Sequence, residues 1–196
     1  MRMVARGRYA KGVAKREEIL QVALDVVAEV GYRKASNREI AERVGLTQPG
    51  LMHYFGSREE LYMEVLRARD NRDLGEFMDP DPTFQGFLAI IAHNMSVPGL
   101  VRLFVEFSAE ATMVGHPAHE YFIERYAWAR GVLTGVIERA QKSGELGPTL
   151  RPKIAVDLVL AAADGLQLQW LLDPEVDMVE RLSRLWDGIR LASRRD

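Results

Sequence analysis

The sequence predicts an all-α chain of about nine helices, three small ones at the N-terminus and a larger helical bundle behind them. Three observations carry that expectation. Apolar residues recur at three- and four-residue spacing, and no stretch sustains the alternation of a strand. Caps and breakers punctuate the chain from Gly31 and Ser36 to Asp173-Pro174. The 196 residues, 47% of them hydrophobic, suffice for one or two packed domains.

The elements follow in order. Helix one is expected from about residue 13 to 30, with Ile19, Leu20, Ala23, Leu24, Val27 and Val30 inward and Gly31 ending it. Ser36 and Glu39 form a capping box, so a second helix starts at Asn37, with Ile40, Ala41 and Val44 on its apolar face. Gly45 takes the left-handed turn that ends it. Thr47 caps a third, short helix whose Leu51 and Phe55, four residues apart, face the core. Gly56 closes it, and Ser57 with Glu60 caps a fourth helix running to about Phe77 with Leu61, Val65 and Leu74 inside.

Two helices separated only by Gly45-Leu46-Thr47 have the spacing of a DNA-reading helix-turn-helix. With Leu51 and Phe55 inward, Pro49, Gly50 and His53 point away from the core. Gly50 lets the backbone approach DNA, and Pro49 sits in the first turn where a missing N–H costs little. Thr47, Gln48, His53 and Tyr54 offer hydrogen bonds to phosphates or base edges. The plainer alternative is a helical hairpin with no ligand.

The run resembles the DNA-binding domain of the TetR (tetracycline repressor) family of bacterial transcriptional regulators. The resemblance begins at Arg16-Glu17-Glu18-Ile19-Leu20 and Ala23-Leu24 and passes through Gly31-Tyr32, Ser36 and Glu39-Ile40-Ala41. It continues through Gly45-Leu46-Thr47, Leu51 and His53-Tyr54-Phe55 to Ser57 and Leu61, roughly the first third of the chain. It implies that Thr47, Gln48, Gly50, His53 and Tyr54 face DNA, with Ser36, Arg38 and Arg58 as further DNA-binding residues. Met52 stands where the family often has Tyr and cannot donate a hydrogen bond. Arg58 stands where Lys is frequent and keeps a positive charge for a phosphate. The resemblance also implies a DNA-binding unit over 1–60 and a ligand-binding and dimerisation unit over 61–196.

Charge is divided the same way. Residues 1–72 hold 14 Lys and Arg against 10 Asp and Glu, the rest 12 against 18, so the formal net charge of −2 conceals a basic head. Arg2, Arg6, Arg8, Lys11, Lys15 and Arg16 lie in a segment without acids. This segment reads either as a disordered solubilising tail or as an arm along phosphates or into a minor groove. The absence of cysteine excludes disulfides, thiolate catalysis and Cys-ligated zinc and fits a cytoplasmic protein. Residues 82–101 lack charge, but Gln85, His93, Asn94, Ser96 and Pro98-Gly99 argue against a membrane span.

Asp79-Pro80-Asp81-Pro82 marks the clearest break. Helices are then expected over 83–97, from Pro98 to a break at Gly115-His116-Pro117, over about 118–142, from Pro152 to about Leu172, and over about 175–193. Phe84, Phe87, Phe104, Phe107, Trp128 and Trp170 are by default core. Functionally they are candidates for lining a ligand cavity, with His93, Asn94, Gln167 and Gln169 to orient the ligand and Gly131 and Gly135 leaving room. The uncharged stretch favours an apolar or aromatic effector.

The helix from Pro152 is apolar on most sides and must be buried, either centrally or against a partner. Leu168, Leu171, Leu182, Leu185, Trp186 and Ile189 are therefore candidates for a homodimer interface, an arrangement the resemblance also implies. No catalytic motif is present, and His116, His119 and Glu120 read as a surface turn rather than metal ligands. Neither metal nor cofactor is expected. The function expected is that of a homodimeric repressor, released from a palindromic double-stranded DNA operator by a small-molecule effector. An activator, a ligand-blind regulator, and a helical carrier or enzyme that ignores DNA are the alternatives.

Overall fold

The computed structural model describes residues 3–194, with side chains from residue 11 onward. Among these residues there are nine α-helices and no strands. The helices are α1 (Met3–Val30), α2 (Asn37–Arg43), α3 (Gln48–Met52), α4 (Arg58–Phe77), α5 (Phe84–Ser96), α6 (Pro98–Glu110), α7 (His119–Lys142), α8 (Pro152–Leu172) and α9 (Met178–Ser193).

Local chemistry sets most of these limits. Gly31 and Gly45 take φ of +78° and +68° to end α1 and α2, a region closed to most side chains. Ser36, Thr47, Ser57 and Thr83 each accept a hydrogen bond from the third backbone N–H of the helix they precede. Glu60 closes its box one residue early, accepting from the Gly56 N–H at 2.9 Å rather than from Ser57. Asp177 caps α9, which therefore begins three residues later than the sequence suggested.

Two expectations for α1 need correction. The helix runs back to Met3, so the basic segment joins it instead of forming a separate tail. Of that segment's charges, Arg2 lies outside the described residues, and Arg6 and Arg8 are described as backbone only. Val30 is 38% exposed although it lies on the inward face, because it is past the closest approach of α6 at Val27 and Ala28. Val26, overlooked, is fully buried.

The apolar residues gather into two clusters. The first joins α1–α4 to α6 and the start of α7 through Ile19, Phe55, Leu61, Leu103 and Phe107. Its centre is Tyr62, whose hydroxyl donates to the Ala35 carbonyl at 3.0 Å. The second joins α5, α7, α8 and α9, with Trp186 stacked on Phe84 at 4.0 Å between ring centres. At the seam, α6 meets the end of α1 with almost no clearance. A Cβ on Gly99 would lie 2.1 Å from the Val27 carbonyl oxygen.

The uncharged run 82–101 is divided between α5 and α6, which bend by 102° at their junction. Among the described residues, α8 alone is long and apolar enough to cross a membrane, and seven of its residues are buried in the bundle.

Candidate nucleic-acid interface and effector cavity

The head places a short helix on its surface. Thr47 Oγ1 accepts from the Gly50 N–H at 3.2 Å and starts α3, while Leu51 and Phe55 are fully buried beneath it. Gln48, Pro49 and His53 are consequently exposed, and Gly50 and Tyr54 half-buried. Ser36 and Arg38 are exposed on neighbouring α2. Met52 packs back on α2, where its sulfur accepts from Asn37 Nδ2 at 3.2 Å.

Several cations of the head are occupied in holding it together. Lys15 donates to the Val44 carbonyl at 2.6 Å, and Arg16 pairs with Glu64 at 2.6 Å beside the Phe55 ring. Arg58 is turned further inward than a phosphate ligand requires. Its Nη2 donates to the carbonyls of Tyr32 (3.0 Å) and Ala35 (3.1 Å), and its Nε to the Tyr62 hydroxyl (3.2 Å). Arg58 thus ties α4 to the turn between α1 and α2. Arg38 keeps an exposed pair with Glu42 at 2.8 Å, an interaction weak enough for a phosphate to displace. The sequence reading missed Arg33 and Lys34, which border a shallow cleft of about 300 Å³ together with Ser36, Asn37, Gln48 and Arg58. The signal was the turn after Gly31, which presents consecutive basic residues beside α3.

A second site lies inside the bundle. A half-open cavity of about 110 Å³ lies between α4, α5, α6, α7 and α8. Phe87, Ile90, Phe104, Trp128 and Leu133 form apolar parts of its wall, and Arg69, Asp70, Asp73, Asn94, Arg125 and Gln167 a polar part. Asp70 receives Arg125 through two bonds (2.7 and 2.9 Å) and Arg69 through one (3.0 Å). Burial alone would push the Asp70 carboxyl up; the charges of Arg69 and Arg125 outweigh it and hold the group below its usual value. Burial dominates at Asp73, which is raised even though Arg69 and His93 oppose the shift. It dominates at Asp164 as well, despite the Tyr126 hydroxyl donating to it at 2.7 Å.

The cavity leaves hydrogen-bonding capacity unused. Arg69 Nε and Nη1, Asp73 Oδ1, Asn94 Oδ1 and Gln167 Oε1 are buried and without partners. A buried polar atom lacking a partner loses about 1–3 kcal/mol relative to one that is paired. The four side chains that carry these five atoms, from α4, α5 and α8, all line the cavity.

Of the pocket candidates, Phe87, Phe104, Trp128 and Gln167 line this cavity. Phe84 does not, because it is stacked on Trp186. Phe107 belongs to the first cluster, between Tyr32, Tyr62 and Phe122, and Trp170 to the core of the bundle. His93 stands behind the wall, 3.8 Å from Asp73 and against the Phe77 ring. Gln169 and Gly131 face outward, and Gly135 lies under Arg139. The charged residues on α4 were missed in the sequence because Arg69-Asp70 and Arg72-Asp73 read as a solvated helix face.

The interface candidates divide likewise. Leu168 is exposed, whereas Leu171, Leu185 and Ile189 are half-buried against the bundle. Leu182 and Trp186 are buried within the monomer, the latter also donating to Glu145 at 3.0 Å, so they cannot meet a partner. Instead α8 exposes Ile154, Leu158, Leu168 and Leu172, joined by Ala161 and Gly165 at alternating spacings of four and three. That spacing was readable, but the burial of the opposite face was needed to separate the stripe from core. His116 and His119 serve the turn before α7. His116 Nδ1 accepts from the Ala118 N–H, and His119 Nδ1 donates to the Ala111 carbonyl.

Comparison with known proteins matches both parts. The profile of bacterial regulatory proteins of the tetR family matches residues 19–65, and that of the BetI-type transcriptional repressor C-terminal domain matches 85–188, more than half the chain. The chain belongs to the TetR family. It is a DNA-binding transcriptional regulator rather than an enzyme, and both the helix-turn-helix and the bundle take their meaning from that membership. Among its TetR relatives is the HTH-type transcriptional repressor KstR2 of Mycobacterium tuberculosis, 29% identical over 159 residues that cover 74% of each chain. A TetR transcription regulator from Haloarcula marismortui shares the fold with a TM-score of 0.76, at 17% identity over 92% of this chain and 98% of the other. FadR from Bacillus subtilis, solved in complex with stearoyl-CoA, does so with a TM-score of 0.64, at 18% identity over 88% and 96%.

Proposed function

We propose that this TetR-family chain is a cytoplasmic homodimeric repressor that binds a palindromic operator in double-stranded DNA and leaves it when a small molecule fills the bundle cavity. The observation that carries the reading is the course of α4. The helix starts at the Ser57 cap beneath the DNA-facing helix and reaches the cavity without a break, bringing Arg69, Asp70 and Asp73 into its wall. A ligand touching those residues acts on the same rigid rod that Arg58 fastens to the head. Its effect depends on binding the two head positions with different affinity.

In this reading residues 1–60 read DNA, and 61–196 bind ligand and partner. Ser36, Arg38, Thr47, Gln48, Gly50, His53 and Tyr54 make the DNA contacts, with Arg58 as their support and Lys34 added. The exposed stripe Ile154–Leu172 packs on its copy with Leu185 and Ile189 beside it, setting two heads about 34 Å apart in successive major grooves. FadR holds an acyl-CoA. The small cavity of the present chain favours a compact effector.

The experiment is a mobility shift on the DNA flanking the gene, repeated over a salt series, with sedimentation on the same protein. A retarded complex that weakens steeply with salt is expected, from a species of twice the monomer mass. A monomer in solution, or binding indifferent to salt, overturns the reading. Leu168→Glu should dissociate the dimer, because an unpaired charge is costly to bury.

A further inference from the structure

The polar end of the cavity specifies more than the presence of a ligand. We infer that the effector is a compact monoanion, of about single-ring size, whose carboxylate or similar planar anion is received by Arg69. This rests on the effector reading above and gives it a chemistry.

Arg69 is 5% exposed, and two of its three guanidinium nitrogens have no acceptor. Its third nitrogen shares Asp70 with Arg125, so one aspartate answers two arginines. Asp73 and Asp164 also border the cavity, but neither supplies an acceptor to Arg69. A buried guanidinium with N–H groups left over is satisfied best by a negative group that accepts them. Arg69 and Arg125 both lie over the face of Phe104, which orients them at the boundary between the polar and apolar walls. Asn94 and Gln167, each under 7% exposed and each with an unpartnered oxygen, stand on the same wall. The amides can turn either end to a ligand, so they serve as adaptable neighbours to the fixed donor.

Size follows from the volume. The cavity's volume of about 110 Å³ is below the ~150 Å³ that accommodates benzene, but it opens to the surface beside Trp128, which is 42% exposed, so a single ring is the most it admits. Phe87, Trp128 and Leu133 supply the apolar surface for such a ring.

The test uses benzoate, benzamide and benzylamine on the full-length protein. They share one ring and nearly one shape but differ in charge. Melting temperature and tryptophan fluorescence report binding, and the operator mobility shift is run on the same samples. Benzoate should bind at millimolar concentration, at least ten-fold more tightly than benzamide, with benzylamine weakest. Arg69→Gln should remove the preference for benzoate, and Arg69→Lys should keep part of it. Equal or tighter binding of benzamide or benzylamine overturns the inference, as does no binding of benzoate, or benzoate binding indifferent to Arg69→Gln. If Arg69→Gln does not fold, the ranking on the unaltered protein still decides the sign of the charge. An intact operator complex with no benzoate preference sinks the anion site alone; absence of the operator complex before any ligand is added sinks the regulator reading.

Discussion

In the head, Ser36, Thr47 and Ser57 accept the N–H groups that begin three helices, and Lys15 and Arg58 donate to carbonyls that end or follow others. In the bundle, Arg69, Asp73, Asn94 and Gln167 are buried and leave five atoms unpaired. One end of the molecule uses polar chemistry to complete a shape, and the other leaves part of it unpaired, which the proposed effector would complete. Asn37 Oδ1, also unpartnered, is the head's counterpart, on the side where DNA is proposed to lie. The contrast bears on energetics. Polar groups paired internally make a region insensitive to its surroundings. Unpaired ones lower the stability of the empty state, and a ligand that pairs them restores it.

The largest expected effect tests the head. Phe55 is fully buried between α1 and α4, and Phe55→Ala should destabilise by about 3–5 kcal/mol. Chemical unfolding measures this. A loss under ~1 kcal/mol would mean the head core collapses around the gap and is looser than its packing suggests.

Asp70→Asn should follow, at about 3 kcal/mol near neutral pH, because it breaks a buried pair shared by two arginines. Its pH dependence opposes that of Asp73. Asp70 is lowered in the folded state, so its contribution is present above the unfolded value and fades as pH falls through the folded one. Asp73 is raised, so its contribution is present below the unfolded value of about 3.9 and is lost as pH rises through the folded one. Urea melts across pH should therefore show the Asp70→Asn penalty shrinking in acid. The same melts should show Asp73→Asn stabilising near neutrality and giving no gain in acid. Parallel curves would remove the distinction between the two acids.

Asn94→Leu sharpens the contrast in the other direction. Replacing a buried, unpartnered amide by a side chain of similar size should raise stability by up to about 1–3 kcal/mol while weakening the response to ligand. A lower melting temperature would indicate that the amide is already satisfied. The smallest effect is Thr47→Ala, about 1 kcal/mol from the cap of α3, with a larger proportional loss of DNA affinity if Thr47 also meets a phosphate.

The same contrast explains what could be read from the chain alone. Helix order and most helix limits were readable because each is set within four residues, by a glycine at positive φ or a hydroxyl before the first turn. The helix-turn-helix was readable for that reason too. The cavity was not. Arg69 and Asp70 look like surface charge until Arg125, 55 residues later, is brought beside them, and Phe84 looks like cavity lining until Trp186 covers it. The early start of α1 escaped because the basic segment, without acids, read as a tail or an arm rather than as helix.

Gly99 carries one more consequence. Its Cα rests against the backbone of Val27 and Ala28, with no side chain between them that could swing aside. A methyl group at that point would act as a shim between the end of α1 and the beginning of α6, tilting the head without altering any residue that faces DNA or ligand. In the dimer proposed above, the spacing of the two heads would then be adjustable by a change of one small residue at the seam, and operator preference would drift in evolution at a position that never meets the operator.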